Sequence, residues 1–183
     1  MPAVIVPFRR ENAKRRLQPL PEEVRTALAK AMLSDVLAAC EPVGPAVVTQ
    51  ENDQGEAVEN VLRVVESNPI LIVNADLPCA QPRDVLALLG ALPDGGLALV
   101  EARDGTTNAL ALSAPHLFAP LYGPGSAERF RARAARLRVP VATAEIPNLV
   151  DDVDTADDLE RLESCLGPHT ARALGQLRAG LPQ

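Results

Sequence analysis

Aromatic residues are scarce in this chain of 183 residues, which has one tyrosine, three phenylalanines and no tryptophan. So few rings leave almost nothing on which single-stranded nucleic acid or sugars could stack. Cysteine is also rare, and Cys40, Cys79 and Cys165 stand far apart without a Cys-x-x-Cys pair. This spacing predicts neither a zinc site nor a disulfide framework.

Positive charge is in short supply as well, because 24 acidic residues outnumber 18 basic ones and give a net charge of −6. Neutralising many phosphates needs a basic surface, so the balance argues against a general nucleic-acid binder. No apolar run approaches the roughly 20 residues that cross a bilayer, and the N-terminus lacks a basic segment followed by an apolar one. We therefore expect a cytoplasmic protein with no membrane or nucleic-acid partner.

The apolar residues, in contrast, are plentiful and regularly placed. They make up 47% of the chain, enough for a sizeable core in a single domain over residues 1–183. Short apolar runs predict strands at 3–6, 46–49, 69–73, 97–102, 107–112 and 139–146. Helical periodicity predicts helices at 21–39, 55–67, 83–92, 126–137, from Thr155 onward, and at 169–179. This alternation predicts an α/β fold with a mostly parallel sheet.

Basic residues gather in one predicted loop, directly after the first strand. Residues 9–16 carry five positive charges and the single acid Glu11. Ligands of open α/β sheets bind at the carboxyl ends of strands, so this loop suits a polyphosphate, with a plain solvated loop as the alternative. The loop has no glycine-rich phosphate-binding or dinucleotide-binding fingerprint, so neither of those classes is supported.

Acidic residues gather near the other end of the chain, between residues 145 and 163. Those after Thr155 suit the first turn of a helix or its solvated face. Asp152 and Asp154 precede that helix, and in an extended segment they point to the same side. Asp76 ends the most apolar predicted strand, where it is either a loop-capping residue or a third ligand. Together the three carboxylates favour a Mg²⁺ site for phosphoryl or nucleotidyl transfer.

Six segments, taken together, carry a resemblance to a known family. They are 6–9, 13–17, 74–78 (Asn-Ala-Asp-Leu-Pro), 104–110 (Asp-Gly-Thr-Thr-Asn-Ala-Leu), 122–126 (Tyr-Gly-Pro-Gly-Ser) and 152–155 with Asp158-Leu159. They resemble the 2-phospho-L-lactate and phosphoenolpyruvate guanylyltransferases of deazaflavin coenzyme F-420 biosynthesis, over about residues 3 to 163. The resemblance implies a three-layer α/β/α fold of the nucleotide-diphospho-sugar transferase (GT-A-like) type.

The resemblance also implies a reaction and a set of site residues. The phosphate of phosphoenolpyruvate would attack the α-phosphorus of GTP and expel pyrophosphate, with 2-phospho-L-lactate as the alternative acid. Mg²⁺ would be held by Asp76, Asp152 and Asp154, which count as catalytic together with Lys14. Nucleotide-binding residues would be Pro7, Arg9, Lys14 and Arg16, and the substrate carboxylate would be held by Thr107, Asn108, Gly123 and Ser126.

Two other functions remain open at the level of sequence. One is a sugar-phosphate nucleotidyltransferase or another guanylyltransferase of the same superfamily, although the first loop is not glycine-rich. The other is a catalytically silent nucleotide-binding module, which the short connection between Thr49 and Gly55 could support. That connection replaces a helix and strand usual in the family, so selectivity for guanine is the least secure implication. The oligomeric state is left open, a homodimer included.

Overall fold

The computed structural model describes residues 1–8, 17–50, 53–65 and 67–180, and these residues fold around one six-stranded sheet. The strands are β1 (Ala3–Pro7), β2 (Ala46–Thr49), β3 (Ile70–Val73), β4 (Leu97–Glu101), β5 (Thr107–Leu112) and β6 (Val141–Thr143). The helices are α1 (Glu22–Cys40), α2 (Gln54–Leu62), α3 (Pro82–Gly90), α4 (Ser126–Leu137), α5 (Pro147–Val150), α6 (Ala156–Arg161) and α7 (Pro168–Gly180).

The sheet is mostly parallel, as the sequence predicts, with one reversed strand. Its order is β2-β1-β3-β5-β4-β6, in which β1 pairs in parallel with β2 and β3, and β4 pairs in parallel with β6. Strand β5 runs antiparallel to both of its neighbours, β3 and β4. The carboxyl end of β3 therefore lies beside the amino end of β5, where Val73 pairs with Ala109. Residues that follow β3 and residues that begin β5 consequently meet at one edge of the sheet.

Helices cover both faces of the sheet, because its strands alternate apolar side chains between two cores. On one face, Val4 and Leu71 pack with residues of α1, α3 and α5, including Val36. On the other face, Ile5 and Phe130 belong to the core formed with α2 and α4. These are the three layers of the predicted α/β/α architecture. Within the described ranges, no helix has both the length and the apolar content needed to span a bilayer.

Two predicted elements are clearly shorter in the structure, and one helix was not predicted. The helix predicted at 55–67 is the shorter α2, and the strand predicted at 139–146 is only the three residues of β6. Strand β6 is short because it lies at the edge of the sheet and pairs only with Leu97–Leu99 of β4. Pro147 then begins α5, which the sequence analysis did not predict because one turn of helix is too short to show a period.

A disulfide joins Cys79, just before α3, to Cys165, just before α7. The sequence expectation of no disulfide is therefore wrong. The two cysteines are 86 residues apart, and only the folded chain brings their Cα atoms to 5.1 Å. The remaining cysteine, Cys40, is buried in the core, and this burial raises the pKa of its thiol to about 12.

Candidate active site

Three carboxylates meet at the carboxyl edge of the sheet, and they are the three that the sequence singled out. One oxygen from each of Asp76, Asp152 and Asp154 lies within 4.8 Å of the other two, and all three side chains are half-buried. Negative charges this close repel one another unless a cation lies between them. Carboxylate oxygens are the ligands that Mg²⁺ and other hard divalent ions prefer. The donor set therefore fits a divalent metal.

A backbone hydrogen bond joins the two segments that carry these carboxylates. The amide of Val153 donates to the carbonyl oxygen of Asp76 over 3.0 Å, and the Val153 side chain is fully buried. Because side chains alternate along an extended segment, burial of Val153 turns both of its neighbours, Asp152 and Asp154, the other way. This geometry explains why two acids separated by one residue reach the same site.

Asp151 belongs to a different set of contacts. Both of its carboxylate oxygens accept hydrogen bonds from the Arg103 guanidinium, and Arg161 contacts the same carboxylate at 2.8 Å. The hydrogen bond from Arg103, assisted by Arg161, holds the pKa of Asp151 below its usual range. Asp151 thus ties the segment of Asp152 and Asp154 to the turn between β4 and β5 and to α6.

The N-terminus of α6 begins immediately after the last of the three carboxylates. Thr155 is the N-cap, and its hydroxyl accepts a hydrogen bond from the amide of Asp158 while Asp158 accepts from the amide of Thr155. Asp158 also accepts from the amide of Asp154 over 3.1 Å. This reciprocal capping fixes the direction in which the chain leaves the carboxylate cluster.

Acid should remove the stabilising effect of Asp158 in a defined pH window. Burial alone would raise the pKa of this carboxyl, but the hydrogen bonds from Arg161, Thr155 and Asp154 outweigh it and lower the pKa to about 2. A carboxyl whose pKa is lowered on folding stabilises the protein above its unfolded pKa, about 4, and ceases to do so as the pH falls through about 2. Urea unfolding at several pH values should show wild type more stable than Asp158→Asn by a constant amount at neutral pH. The difference should shrink between about pH 4 and pH 2, and a difference independent of pH would contradict the assignment.

The residues predicted to hold the substrate carboxylate meet at the start of β5 and of α4. The hydroxyls of Thr107 and Ser126 are 3.0 Å apart, and both residues are buried. Thr106 instead bonds to Asp104 within its own turn, so Thr107 is the threonine that faces Ser126. Gly123 and Gly125 are exposed, and their φ angles of 105° and 70° lie in the region that favours glycine. The amides of Ser126 and Ala127 at the start of α4 donate to the carbonyl oxygens of Gly123 and Gly105, so the positive end of the helix dipole is what favours an anion at this corner.

An arginine that the sequence analysis missed holds the turn before α4 in place. The guanidinium of Arg129 donates to the carbonyl oxygens of Leu121, Tyr122 and Pro124. These bonds fix the path of the backbone through Gly123. Nothing in the sequence signals this role, because an arginine one turn into a helix usually points to solvent. Tyr122 packs by its ring edge on Phe130, with centroids 5.6 Å apart, so its ring belongs to the core.

The side chain of Asn108 fastens the segment that leads to the carboxylates. Its amide nitrogen donates to the carbonyl oxygens of Leu149 and Val150 at 3.1 and 3.0 Å, and its side chain is buried. Its amide oxygen accepts from Asn74 over 3.4 Å, and Asn74 in turn accepts from Gln54 over 2.6 Å. Both N–H groups of the Asn108 side-chain amide therefore donate to the protein itself. A direct contact with substrate stays a prediction for this residue.

Of the four residues predicted to bind the nucleotide, Pro7 alone lies among the described residues. Pro7 ends β1 beside Thr49, at the same edge of the sheet as the carboxylates. Arg9, Lys14 and Arg16 lie outside the described residues.

Arg25, near the start of α1, was not predicted: its Nε and Nη1 atoms are buried and have no hydrogen-bond partner in the described structure. It lies one turn before the buried Ala29, and helical side chains lean toward the N-terminus, so Arg25 leans toward the end of the sheet that carries the site. An anion bound there would satisfy these donors.

Solved structures with the same fold define the class of protein. The chain superimposes on a protein from Desulfovibrio desulfuricans G20 assigned as a nucleotide-diphospho-sugar transferase, with a TM-score of 0.73, 16% identity and coverage of 98% and 96% of the two chains. It also matches 2-C-methyl-D-erythritol 4-phosphate cytidylyltransferase from Thermus thermophilus (TM-score 0.60, 14% identity, 88% and 96% covered). A Mycobacterium tuberculosis protein solved as a complex with manganese gives a TM-score of 0.52 at 18% identity, with 88% and 97% covered. The fold is that of the nucleotidyltransferases of the nucleotide-diphospho-sugar transferase type.

Sequence comparison narrows the class to one family. Residues 43–170 match the model of the family described as guanylyl transferase CofC like. A phosphoenolpyruvate guanylyltransferase of Conexibacter woesei is 34% identical over 211 residues, covering 94% of this chain and 95% of that protein. A 2-phospho-L-lactate guanylyltransferase of Methanosphaerula palustris is 30% identical over 174 residues, covering 86% and 82%. The alignment with the phosphoenolpyruvate guanylyltransferase of Sphaerobacter thermophilus reaches 40% identity but spans 52% of this chain and 47% of that protein. The chain belongs to the CofC-like guanylyltransferase family.

Proposed function

We propose that this protein transfers the guanylyl group of GTP to the phosphate of phosphoenolpyruvate. An oxygen of that phosphate attacks the α-phosphorus of GTP, the bond between the α-phosphorus and the bridging oxygen breaks, and pyrophosphate leaves. The observation that carries the proposal is the convergence of Asp76, Asp152 and Asp154 to within 4.8 Å at the carboxyl edge of the sheet. In open α/β folds this edge is where ligands bind. The product would enter the assembly of deazaflavin coenzyme F-420, as the resemblance to that family implies.

The three carboxylates would hold Mg²⁺. When bound, a divalent ion neutralises charge on the two reacting phosphates, which would otherwise repel each other. The carboxylates would hold that ion in one position because hydrogen bonds fix the segments that carry them. The amide of Val153 bonds to the carbonyl oxygen of Asp76, and the side chain of Asn108 bonds to the carbonyl oxygens of residues 149 and 150. The N-cap of α6 fixes the chain after Asp154. A manganese complex of a protein with the same fold supports a divalent metal for this site.

The remaining proposed roles divide between nucleotide and acid. Lys14 and Arg16, with Arg9 and Pro7, would bind the triphosphate, and the buried donors of Arg25 at the start of α1 would supply a further positive charge to it. The acid carboxylate would bind at the start of α4, where Gly123 leaves the backbone accessible and Thr107 and Ser126 supply hydroxyls. We propose that residues 1–183 act as one domain, because one sheet runs through all the described strands.

An assay of pyrophosphate release tests the proposal. The protein, Mg²⁺ and GTP should release pyrophosphate with phosphoenolpyruvate and not without an acid. Release with 2-phospho-L-lactate alone would favour the second candidate, which the 30% identity to the Methanosphaerula palustris enzyme supports. Binding of GTP by calorimetry, with release under no condition, would show a silent nucleotide-binding module. The same assay with ATP, CTP and UTP measures base selectivity.

A further inference from the structure

The Cys79–Cys165 disulfide lies beside the proposed metal site and joins the two segments that carry its ligands. Cys79 is three residues beyond Asp76, in the loop that leads from β3 to α3. Cys165 follows α6, the helix that begins directly after Asp154 and Thr155. The disulfide thus connects the segment that carries Asp76 to the segment that carries Asp154, by way of α6. The disulfide takes no part in the proposed reaction.

Backbone hydrogen bonds and a shared apolar cluster also join the same two segments. Apart from the disulfide, the amide of Val153 bonds to Asp76 and the amide of Gly167 bonds to the carbonyl oxygen of Pro78 over 2.7 Å. Leu159, Leu162 and Cys79 belong to a hydrophobic cluster that also includes Val153 and residues of α1. A helix of six residues such as α6 has little stability of its own, since helices this short depend on packing. Loss of the covalent link should therefore loosen this part of the site before the sheet is affected.

Cys165 is the more exposed of the two linked residues. Cys79 is 1% exposed, whereas Cys165 is half-buried at the surface beside α7. A thiolate that attacks the Cys165 sulfur would form a mixed disulfide and release the Cys79 thiol. The free Cys40 lies in the core and its raised pKa keeps it protonated, so it does not compete in this exchange.

We propose that the Cys79–Cys165 disulfide is a redox-sensitive link that holds the Asp76 loop and the Asp152–Asp154 segment in register for metal binding. A dithiol reductant opens it: the bond between the two cysteine sulfurs breaks, a disulfide forms in the reductant, and its two thiol protons pass to the cysteines. When the link is open, the distances between the three carboxylates are no longer fixed, and a divalent metal binds more weakly. The inference rests on the proposed metal site, and its test includes two measurements that need neither metal nor substrate.

The test compares oxidised and reduced protein. Thiol counting after denaturation should give one thiol in the oxidised protein and three after reduction. Hydrogen exchange at the amides of Val153 and Gly167 should be at least about tenfold faster after reduction, with the amides of β3 unchanged. Titration with Mn²⁺, followed by its electron paramagnetic resonance, should show binding weaker by about tenfold, the scale on which residues that support metal ligands act.

Two variants separate the link from general effects of reductant. The double variant Cys79→Ala/Cys165→Ala should behave as reduced wild type and should not respond to the dithiol. Cys40→Ala should keep the full response, because the linked pair is intact. Three thiols in the oxidised protein, or exchange and Mn²⁺ affinity that do not change on reduction, would overturn the proposal. If exchange responds but neither form binds Mn²⁺, the proposed metal site and the metal part of this inference both fail, while the mechanical link is upheld.

Discussion

Asp76→Asn should lower the rate of guanylyl transfer at least about a thousandfold, which corresponds to roughly 4 kcal/mol of transition-state stabilisation. Asparagine has nearly the same shape but no charge, so it is a much weaker ligand for a hard divalent ion. The backbone carbonyl of Asp76, which accepts the hydrogen bond from Val153, is retained. The fold should therefore survive, and the loss should appear in metal binding and in turnover together. Pyrophosphate release and a Mn²⁺ titration of the same preparation measure both quantities.

Asp157→Asn is the matched control for this substitution. Asp157 is an exposed acid in the first turn of α6, close to the cluster in sequence but not part of it. The same change of charge at this position should leave the turnover within about twofold of wild type, because the carboxylate only interacts with the helix dipole. An Asp76→Asn protein that turns over at the wild-type rate would remove Asp76 from the metal site. Equal losses in both variants would instead indicate a general effect of negative charge.

Gly167→Ala should lower the free energy of unfolding by about 3 kcal/mol, a melting temperature roughly 10 °C lower for a chain of this size. A β-carbon at this position would lie 2.4 Å from the Cγ atom and 2.5 Å from an oxygen of Asp35. Asp35 cannot turn aside freely, because it is buried in α1 and accepts hydrogen bonds from the amides of His169 and Thr170 and from the Thr170 hydroxyl. Making room for the methyl group would break this attachment of α7 to α1. Thermal and urea unfolding measure the loss.

Gly175→Ala, inside the helix that Gly167 precedes, should give the opposite result. No atom of the described residues lies within 4 Å of a β-carbon at Gly175, and the residue is exposed in the middle of α7. Alanine favours the helix over glycine by up to about 1 kcal/mol, so this variant should be slightly more stable than wild type. If Gly167→Ala were as stable as Gly175→Ala, the close packing of Asp35 on Gly167 would be refuted. Gly175 makes none of the contacts described for the carboxylate cluster, whereas the amide of Gly167 bonds to the carbonyl oxygen of Pro78, so stability and activity can be read separately only for Gly175→Ala.

The sequence predicts the sheet and the carboxylate cluster well because both follow from local rules. Apolar runs locate the strands to within one or two residues, except at the short edge strand β6. The alternation of side chains in an extended segment places Asp152 and Asp154 on one side, and the structure brings them to Asp76. The N-cap at Thr155 is also confirmed. The apolar runs, the alternation and the N-cap each depend on residues a few positions apart, whereas Asp76 reaches the other two because ligand-binding residues of such sheets gather at the carboxyl ends of the strands.

What the sequence misses depends on distant partners. The disulfide joins residues 86 positions apart, and Asp35 caps a helix that begins at Pro168. Arg129 looks like a solvated helical arginine until the carbonyl groups of the preceding turn are seen around it. Such contacts have no period or motif, because they depend on how elements pack after they have formed.

The reversal of β5 has a consequence for how specificity could change. Because β5 begins where the parallel strands end, the proposed acid-binding residues Thr107, Gly123 and Ser126 all fall in one continuous stretch of the chain. The proposed nucleotide and metal residues, in contrast, are spread from Pro7 to Asp154. Exchange of the single segment from β5 to the start of α4 with that of a relative should alter recognition of the acid alone, provided that Asn108 is kept to hold the backbone of residues 149 and 150. The two halves of such a site could therefore diverge at different rates, with the acid changed by a local replacement while recognition of the nucleotide stays the same.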